Sequence, residues 1–138
     1  MRLHHFLAAA VLLLASCSIQ RAATPVPDHI FALCIESNPA VHMEGFLPAL
    51  VRQVEMRGVR TEVVQGPAPG HCRHVMRYTA TWRWDLAMYL YTARLEILDA
   101  GRVIGSASYD ASAGGLSMEK FGSTEGKIGP MVSDLLHQ

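Results

Sequence analysis

Hydrophobic positions change their spacing several times along the chain, and each change marks an element. From Phe6 to Ala15 every residue is apolar. That run is about half the ~20 residues a membrane-crossing helix needs, and it predicts the core of a secretory leader. Asp28 to Glu36 is a second, shorter apolar run between Pro27 and Ser37-Asn38-Pro39. It predicts a central strand buried on both faces. Phe46, Leu47, Leu50, Val51 and Val54 then recur at helical spacing, with Arg52, Gln53, Glu55 and Arg57 between them. Pro48 must lie in the first turn, so the helix is predicted to begin near Glu44 or Gly45 and to end at Gly58. Val59 to Val64 alternates as a strand. Strand, helix and strand at this spacing predict a right-handed unit with parallel strands.

Beyond the loop Gly66-Pro67-Ala68-Pro69-Gly70 the period falls to two. Cys72, His74, Met76, Tyr78, Ala80 and Trp82 take one side, and Arg73, Val75, Arg77, Thr79, Thr81 and Arg83 the other. Ala87 to Leu98, a turn at Asp99-Ala100-Gly101-Arg102, and Val103 to Tyr109 complete an antiparallel meander. Asp110 to Gly122 is rich in Gly, Ser and Ala and predicts an exposed loop. Ile128, Val132, Leu135 and Leu136 predict a last helix, with Gly129-Pro130 restricting its start or kinking it. The order β-α-β-β-β-β-α implies an α+β two-layer sandwich. A mixed sheet of about five strands would carry both helices on one face and leave the other partly open.

Composition narrows the class. The chain has 138 residues, 50% hydrophobic and 17% charged, with a formal net charge of zero. That excludes a disordered chain and disfavours a general nucleic-acid binder. Leu14-Ala15-Ser16-Cys17 looks like a bacterial lipobox, in which Cys17 is acylated and becomes the new amino terminus. Residues 1–16 are then the signal peptide and 17–27 a lipidated terminus and tether, with the prolines favouring extended backbone. Residues 28–138 form the single folded domain. Acyl chains on Cys17 would hold the protein on a membrane. Ser18 resembles the outer-membrane default, so the expected location is the outer membrane, with the domain facing the periplasm.

With Cys17 assigned to lipid, Cys34 and Cys72 remain. In an oxidising compartment a disulfide is the preferred reading, with buried free thiols the second. A metal site at His71-Cys72-Arg73-His74 is the third, incomplete because no CxxC or HExxH accompanies it. No metal and no cofactor are expected.

Candidate binding chemistry centres on Trp82-Arg83-Trp84-Asp85 and on Tyr89-Leu90-Tyr91. Four aromatics at adjacent strand ends would make a stacking platform, against the alternative of cross-strand packing. Asp85 would either meet a ligand or order the turn. Arg73, Arg77 and Arg83 share a strand face, with Glu62 and Glu96 on neighbouring strands available to neutralise them. The serines include none in a GxSxG elbow, and the histidines are scattered, so no enzyme is expected.

The assembled pieces resemble a family of small proteobacterial lipoproteins, the Sbal-type lipoproteins. The pieces are Leu33-Cys34-Ile35-Glu36-Ser37-Asn38 with Val41 and Glu44-Gly45-Phe46; Cys72 with Tyr78-Thr79-Ala80; Trp84-Asp85 with Tyr89-Leu90; and Gly105-Ser106-Ala107-Ser108-Tyr109 with Ser123-Thr124-Glu125. The resemblance implies location and fold but supplies no activity. The function expected from the sequence is a non-catalytic binding or assembly module of the cell envelope with a protein partner. The alternative is a small-ligand or glycan binder using Trp82, Trp84 and Tyr89.

Overall fold

The computed structural model describes residues 18–137. The leader, the lipobox and Cys17 lie outside the described residues. The elements are β1 (Gln20–Thr24), β2 (Ala32–Glu36), α1 (Phe46–Glu55), β3 (Arg60–Val64), β4 (His74–Asp85), β5 (Ala87–Asp99), β6 (Arg102–Asp110), a short 3-10 helix (Met118–Phe121) and α2 (Thr124–Leu136). The strands form one sheet in the order β1-β6-β5-β4-β2-β3. β2 and β3 are parallel, and β4, β5 and β6 form the antiparallel meander. The fold is the α+β arrangement that the periodicity predicts, with one strand more.

The extra strand lies in the segment expected to be a tether. Gln20–Thr24 pairs antiparallel with β6, Ala23 opposite Ala107. All five of its residues are exposed, so no alternation of apolar and polar positions betrays it. Pro25 and Pro27 follow the strand, and the chain turns inward at Val26, whose N–H donates to the Leu135 carbonyl at 2.9 Å.

Two other expectations change. Pro130 lies inside α2, not at its start. The helix begins earlier because the Ser123 hydroxyl accepts from the Gly126 N–H at 3.0 Å and caps it. The stretch 110–122 is not a plain exposed loop. It folds back through Gly114 N–H to Ala111 O (2.9 Å) and Ser117 N–H to Gly114 O (2.7 Å), and it buries Lys120.

The core lies between the sheet and the helix layer. α1 starts after Gly45 with Pro48 in its first turn, as Pro requires. It buries Phe46, Leu50 and Val54 against Leu33, Ile35, Met76 and Tyr78. α2 adds Ile128, Val132, Leu135 and Leu136 over Leu95, Ile97 and Ala107. Gly105 lets α2 approach the sheet: a Cβ there would stand 3.0 Å from Leu135 Cδ1 and 2.7 Å from Val26 Cγ1.

The parallel and antiparallel halves of the sheet meet at β2 and β4, which share only Cys34↔Val75 and Ile35↔Met76. Three further ties close this short seam. The Cys34–Cys72 disulfide crosses its start, with Cα atoms 5.8 Å apart. Arg77 Nε donates to Glu36 Oε2 at 2.8 Å at its end. Beyond it, the Asn38 N–H donates to the Tyr78 hydroxyl at 3.0 Å, and Asn38 Nδ2 donates to the Tyr78 carbonyl at 2.8 Å.

Removing the disulfide with Cys34→Ala/Cys72→Ala is expected to cost about 3–4 kcal/mol in urea unfolding, because the bridge closes a loop of 38 residues. A loss below about 1 kcal/mol would mean the seam holds without it. Acid is expected to weaken the seam through Glu36. Burial pushes that carboxyl up, but the Arg77 hydrogen bond, the Ala68 N–H and the Arg77 charge outweigh burial and hold it below its ordinary value of 4.5. The pair therefore stabilises fully above the unfolded-state value and loses its contribution as pH falls through the lowered folded-state one. The pair is partly exposed, so its contribution is about 0.2–1 kcal/mol. Arg77→Met is expected to flatten the decline in stability on acidification by that amount, read from urea midpoints across the acid range. A decline equal to the parent's would show that the pair contributes nothing.

Candidate functional site

The period of two in β4 sends Met76, Tyr78, Ala80 and Trp82 toward the helices and leaves Arg77, Thr79, Thr81 and Arg83 on the open side. β5 adds Thr92, Arg94 and Glu96, and β6 adds Ser106 and Ser108, by the same register. The result is a face of hydroxyls and charges. Thr81 and Thr92 share a hydroxyl–hydroxyl bond of 2.6 Å. Arg94 Nε donates to Glu96 Oε1 at 2.7 Å. A cleft of about 440 Å³ runs between Glu36, Asn38, Arg77, Thr79, Arg94 and Glu96. The neutralisation expected from Glu62 and Glu96 is redistributed. Arg77 pairs with Glu36, Arg73 with Asp99 at 3.4 Å, and Glu62 with His71 at 2.8 Å. Several donors and acceptors of this face satisfy one another, through Arg77–Glu36, Arg94–Glu96 and Thr81–Thr92.

The candidate aromatic cluster divides. Trp82 lies edge-on to Phe46 at 5.6 Å and packs on the core. Tyr89 sits between Tyr91 at 6.2 Å and Phe121 at 5.8 Å. The Arg83 guanidinium lies over the Tyr91 ring at 4.7 Å. Trp84 points away from all of these partners, 71% exposed, opposite Met88 across the hairpin. A β-bulge at Thr81/Trp82 breaks the register between these residues, which strict alternation does not foresee. The Asp85 carboxylate accepts from Lys120 Nζ at 2.6 Å, a tie from the hairpin to a distant segment that the sequence pattern does not foresee. The β4–β5 hairpin closes on Leu86 alone, between the pair Asp85↔Ala87, with φ at 63° and 89% of its surface exposed.

Sequence reasoning missed two lysines. Lys120 Nζ donates to Asp85 and to the Gly115 carbonyl at 2.7 Å. It also lies 5.2 Å and 5.1 Å over the rings of Tyr89 and Phe121. Lys127 donates to the Lys120 carbonyl and lies 5.6 Å over the Tyr109 ring. Burial, with a smaller contribution from the Arg21 charge, pushes the Lys127 ammonium below its ordinary value. Burial likewise pushes the Tyr109 hydroxyl up. In sequence both lysines stand among glycines and serines, the pattern of a solvated loop, so nothing local marks them as buried.

The disulfide corner forms another concave region, about 690 Å³ beside Phe31, Leu33, Arg60 and Thr61. Ligand atoms of Cys34, Glu62, His71 and Cys72 all lie within 4.8 Å of one another. A cysteine ligates a metal as its thiolate, and the disulfide takes up both sulfurs of this group, leaving Glu62 and His71.

No family model and no curated protein matches this chain. Solved structures do. The PelC dodecamer from Paraburkholderia phytofirmans is similar with a TM-score of 0.57 and 13% identity, over 86% of this chain and 98% of that one. A leucine-to-methionine form of the same dodecamer gives 0.54 and 13%, over 86% and 95%. A PDZ domain protein from Parabacteroides distasonis gives 0.43 and 10%, over 83% of this chain and 35% of that one. At this level of identity the likeness to PelC establishes a shared fold.

Proposed function

We propose that this protein is a lipid-anchored, non-catalytic assembly module of the bacterial cell envelope, and that its first partner is a second copy of itself. The observation that carries the reading is the way the sheet ends. Helices cover one face only. β1 closes one edge with all five residues exposed, and β3 closes the other with Arg60, Glu62 and Val63 exposed. Open strand edges are ready surfaces for pairing between chains. The PelC chains that share this fold over most of its length are dodecamers, which supports assembly here. The lipobox-like Leu14-Ala15-Ser16-Cys17 supports an anchor at the outer membrane, with the domain facing the periplasm. The polar open face, with Arg77, Arg94 and the Thr81–Thr92 pair, is left for further envelope components.

Sedimentation of the purified mature protein in detergent tests this. One oligomer of fixed stoichiometry is expected across a wide concentration range. Photocrosslinking from Ala22 and Val63, one on each edge strand, is expected to give adducts between copies. A monomer at every concentration would overturn self-assembly. Adducts formed only with glycan, and from Arg77 or Arg83, would favour the ligand-binding alternative.

A further inference from the structure

Five of the nine large exposed apolar side chains among the described residues collect at one end of the molecule, the others being Phe31, Met56, Val63 and Val103. Trp84 (71% exposed), Leu86 (89%) and Met88 (50%) form the tip of the β4–β5 hairpin, while Leu116 (97%) and Met118 (75%) lie on the stretch that folds against it. The two groups are tied together, because Lys120 binds Asp85 in the hairpin and the Gly115 carbonyl beside Leu116. A buried ammonium with a carboxylate, a carbonyl and two ring faces fixes the tip as a unit.

Folding does not account for these residues. A left-handed turn position suits Gly, Asn or Asp, and Leu there carries strain without burying anything. Leu116 and Met118 are likewise exposed, on a stretch rich in Gly, Ser and Ala. Large exposed apolar patches mark surfaces that meet something apolar.

The place where Ile19 and Gln20 enter the sheet points to the occupant. Gln20 opens β1 opposite Asp110, Asp110 is opposite Thr92, and Thr92 is opposite Thr81, where β4 begins its final run to the tip. Ile19 packs against the same folded-back stretch: a Cβ on Gly114 would stand 3.3 Å from Ile19 Cγ1. Residue 17 is therefore two residues from a side chain seated beside Leu116's own loop. Because Gln20–Thr24 is a strand paired with β6 and not a free tether, the described chain enters the fold through Ile19 on the tip side of the sheet.

We propose that the Trp84/Leu86/Met88 tip, with Leu116 and Met118, inserts into the boundary of the bilayer that holds the Cys17 lipid, and so fixes the domain's orientation on the membrane. Among the described residues no helix is long and apolar enough to cross a membrane. The contact is therefore a shallow one, by side chains at the headgroup–acyl boundary, where a Trp ring is well accommodated. The inference rests on the anchoring proposed above.

The test uses the acylated mature protein in phosphatidylethanolamine–phosphatidylglycerol vesicles, with and without bromine on the acyl chains. Bromolipid is expected to quench tryptophan emission about twofold. Trp84→Phe is expected to remove most of that quenching, since Trp82 is packed on Phe46. Leu86→Asp/Leu116→Ser is expected to reduce it severalfold while vesicle co-sedimentation stays unchanged; Asp suits the left-handed position, so the fold is preserved. Co-sedimentation without quenching of Trp84 would overturn the inserted tip and leave the anchor standing. Trp84 unquenched by bromolipid yet shielded from acrylamide would assign the tip to a protein, also overturning it. Failure to co-sediment would remove the anchor, and the tip's seat with it.

Discussion

The structure depends on a seam two residue pairs long. A parallel β-α-β half and an antiparallel meander meet only where Cys34 and Ile35 of β2 run beside Val75 and Met76 of β4. Backbone pairing over so short a length cannot hold two halves of a sheet in register by itself, since each hydrogen bond is worth only about 1 kcal/mol net. The protein reinforces it on every side. A covalent bond lies at the start, an ion pair at the end, and Asn38 and Tyr78 interlock beyond. Over the seam sits Phe46, against Tyr78 at 5.3 Å and Trp82 at 5.6 Å. α2 then clasps α1 through Arg52–Glu125 at 2.6 Å and Arg57 Nη2 to the Gly129 carbonyl at 2.8 Å. The carboxy-terminal helix thus spans both halves.

A firm seam lets the meander reach well beyond the helix layer. β4 and β5 are 12 and 13 residues long, against 5 in β2 and β3. Their far ends lie beyond the layer formed by α1 and α2. The protein instead folds the 111–121 stretch onto them and fastens it with Lys120. Burying an ammonium is costly unless it is paired and bonded, and Lys120 meets that condition through Asp85, Gly115 and two aromatic rings. Lys127 has one carbonyl and a ring as partners, and burial, with a smaller contribution from the Arg21 charge, lowers its proton affinity. The seam end and the tip end thus differ in chemistry. The first is locked by sulfur and opposite charges on a polar face. The second is a small packed base beneath exposed apolar side chains.

Elements with a strong period are legible in the sequence. α1, the meander and the parallel pair follow from the spacing of Phe46, Leu50 and Val54 and the alternation from Cys72 to Trp82, because burial on one face imposes that spacing. The Cys34–Cys72 bridge is the preferred of the readings that the cysteine count leaves, and the structure forms it. β1 is not, since an edge strand exposed at every residue has no pattern to read. The candidate site is only partly legible. Trp82 and Trp84 stand two apart and look equivalent, yet the helix layer ends between them, so one is core and the other is surface.

The sequence alone determined the class of fold and the presence of its helices and its long strands, because these follow from local periodicity, and it favoured a disulfide between Cys34 and Cys72, which the structure shows. Only the tertiary structure decided that Gln20–Thr24 closes the sheet, that Glu36 rather than Glu62 neutralises Arg77, and that Lys120 and Lys127 are interior. Each of those depends on which distant segment packs against which, with Lys120 and Asp85 35 residues apart and Arg77 and Glu36 41 apart. No period within a single segment records such a choice.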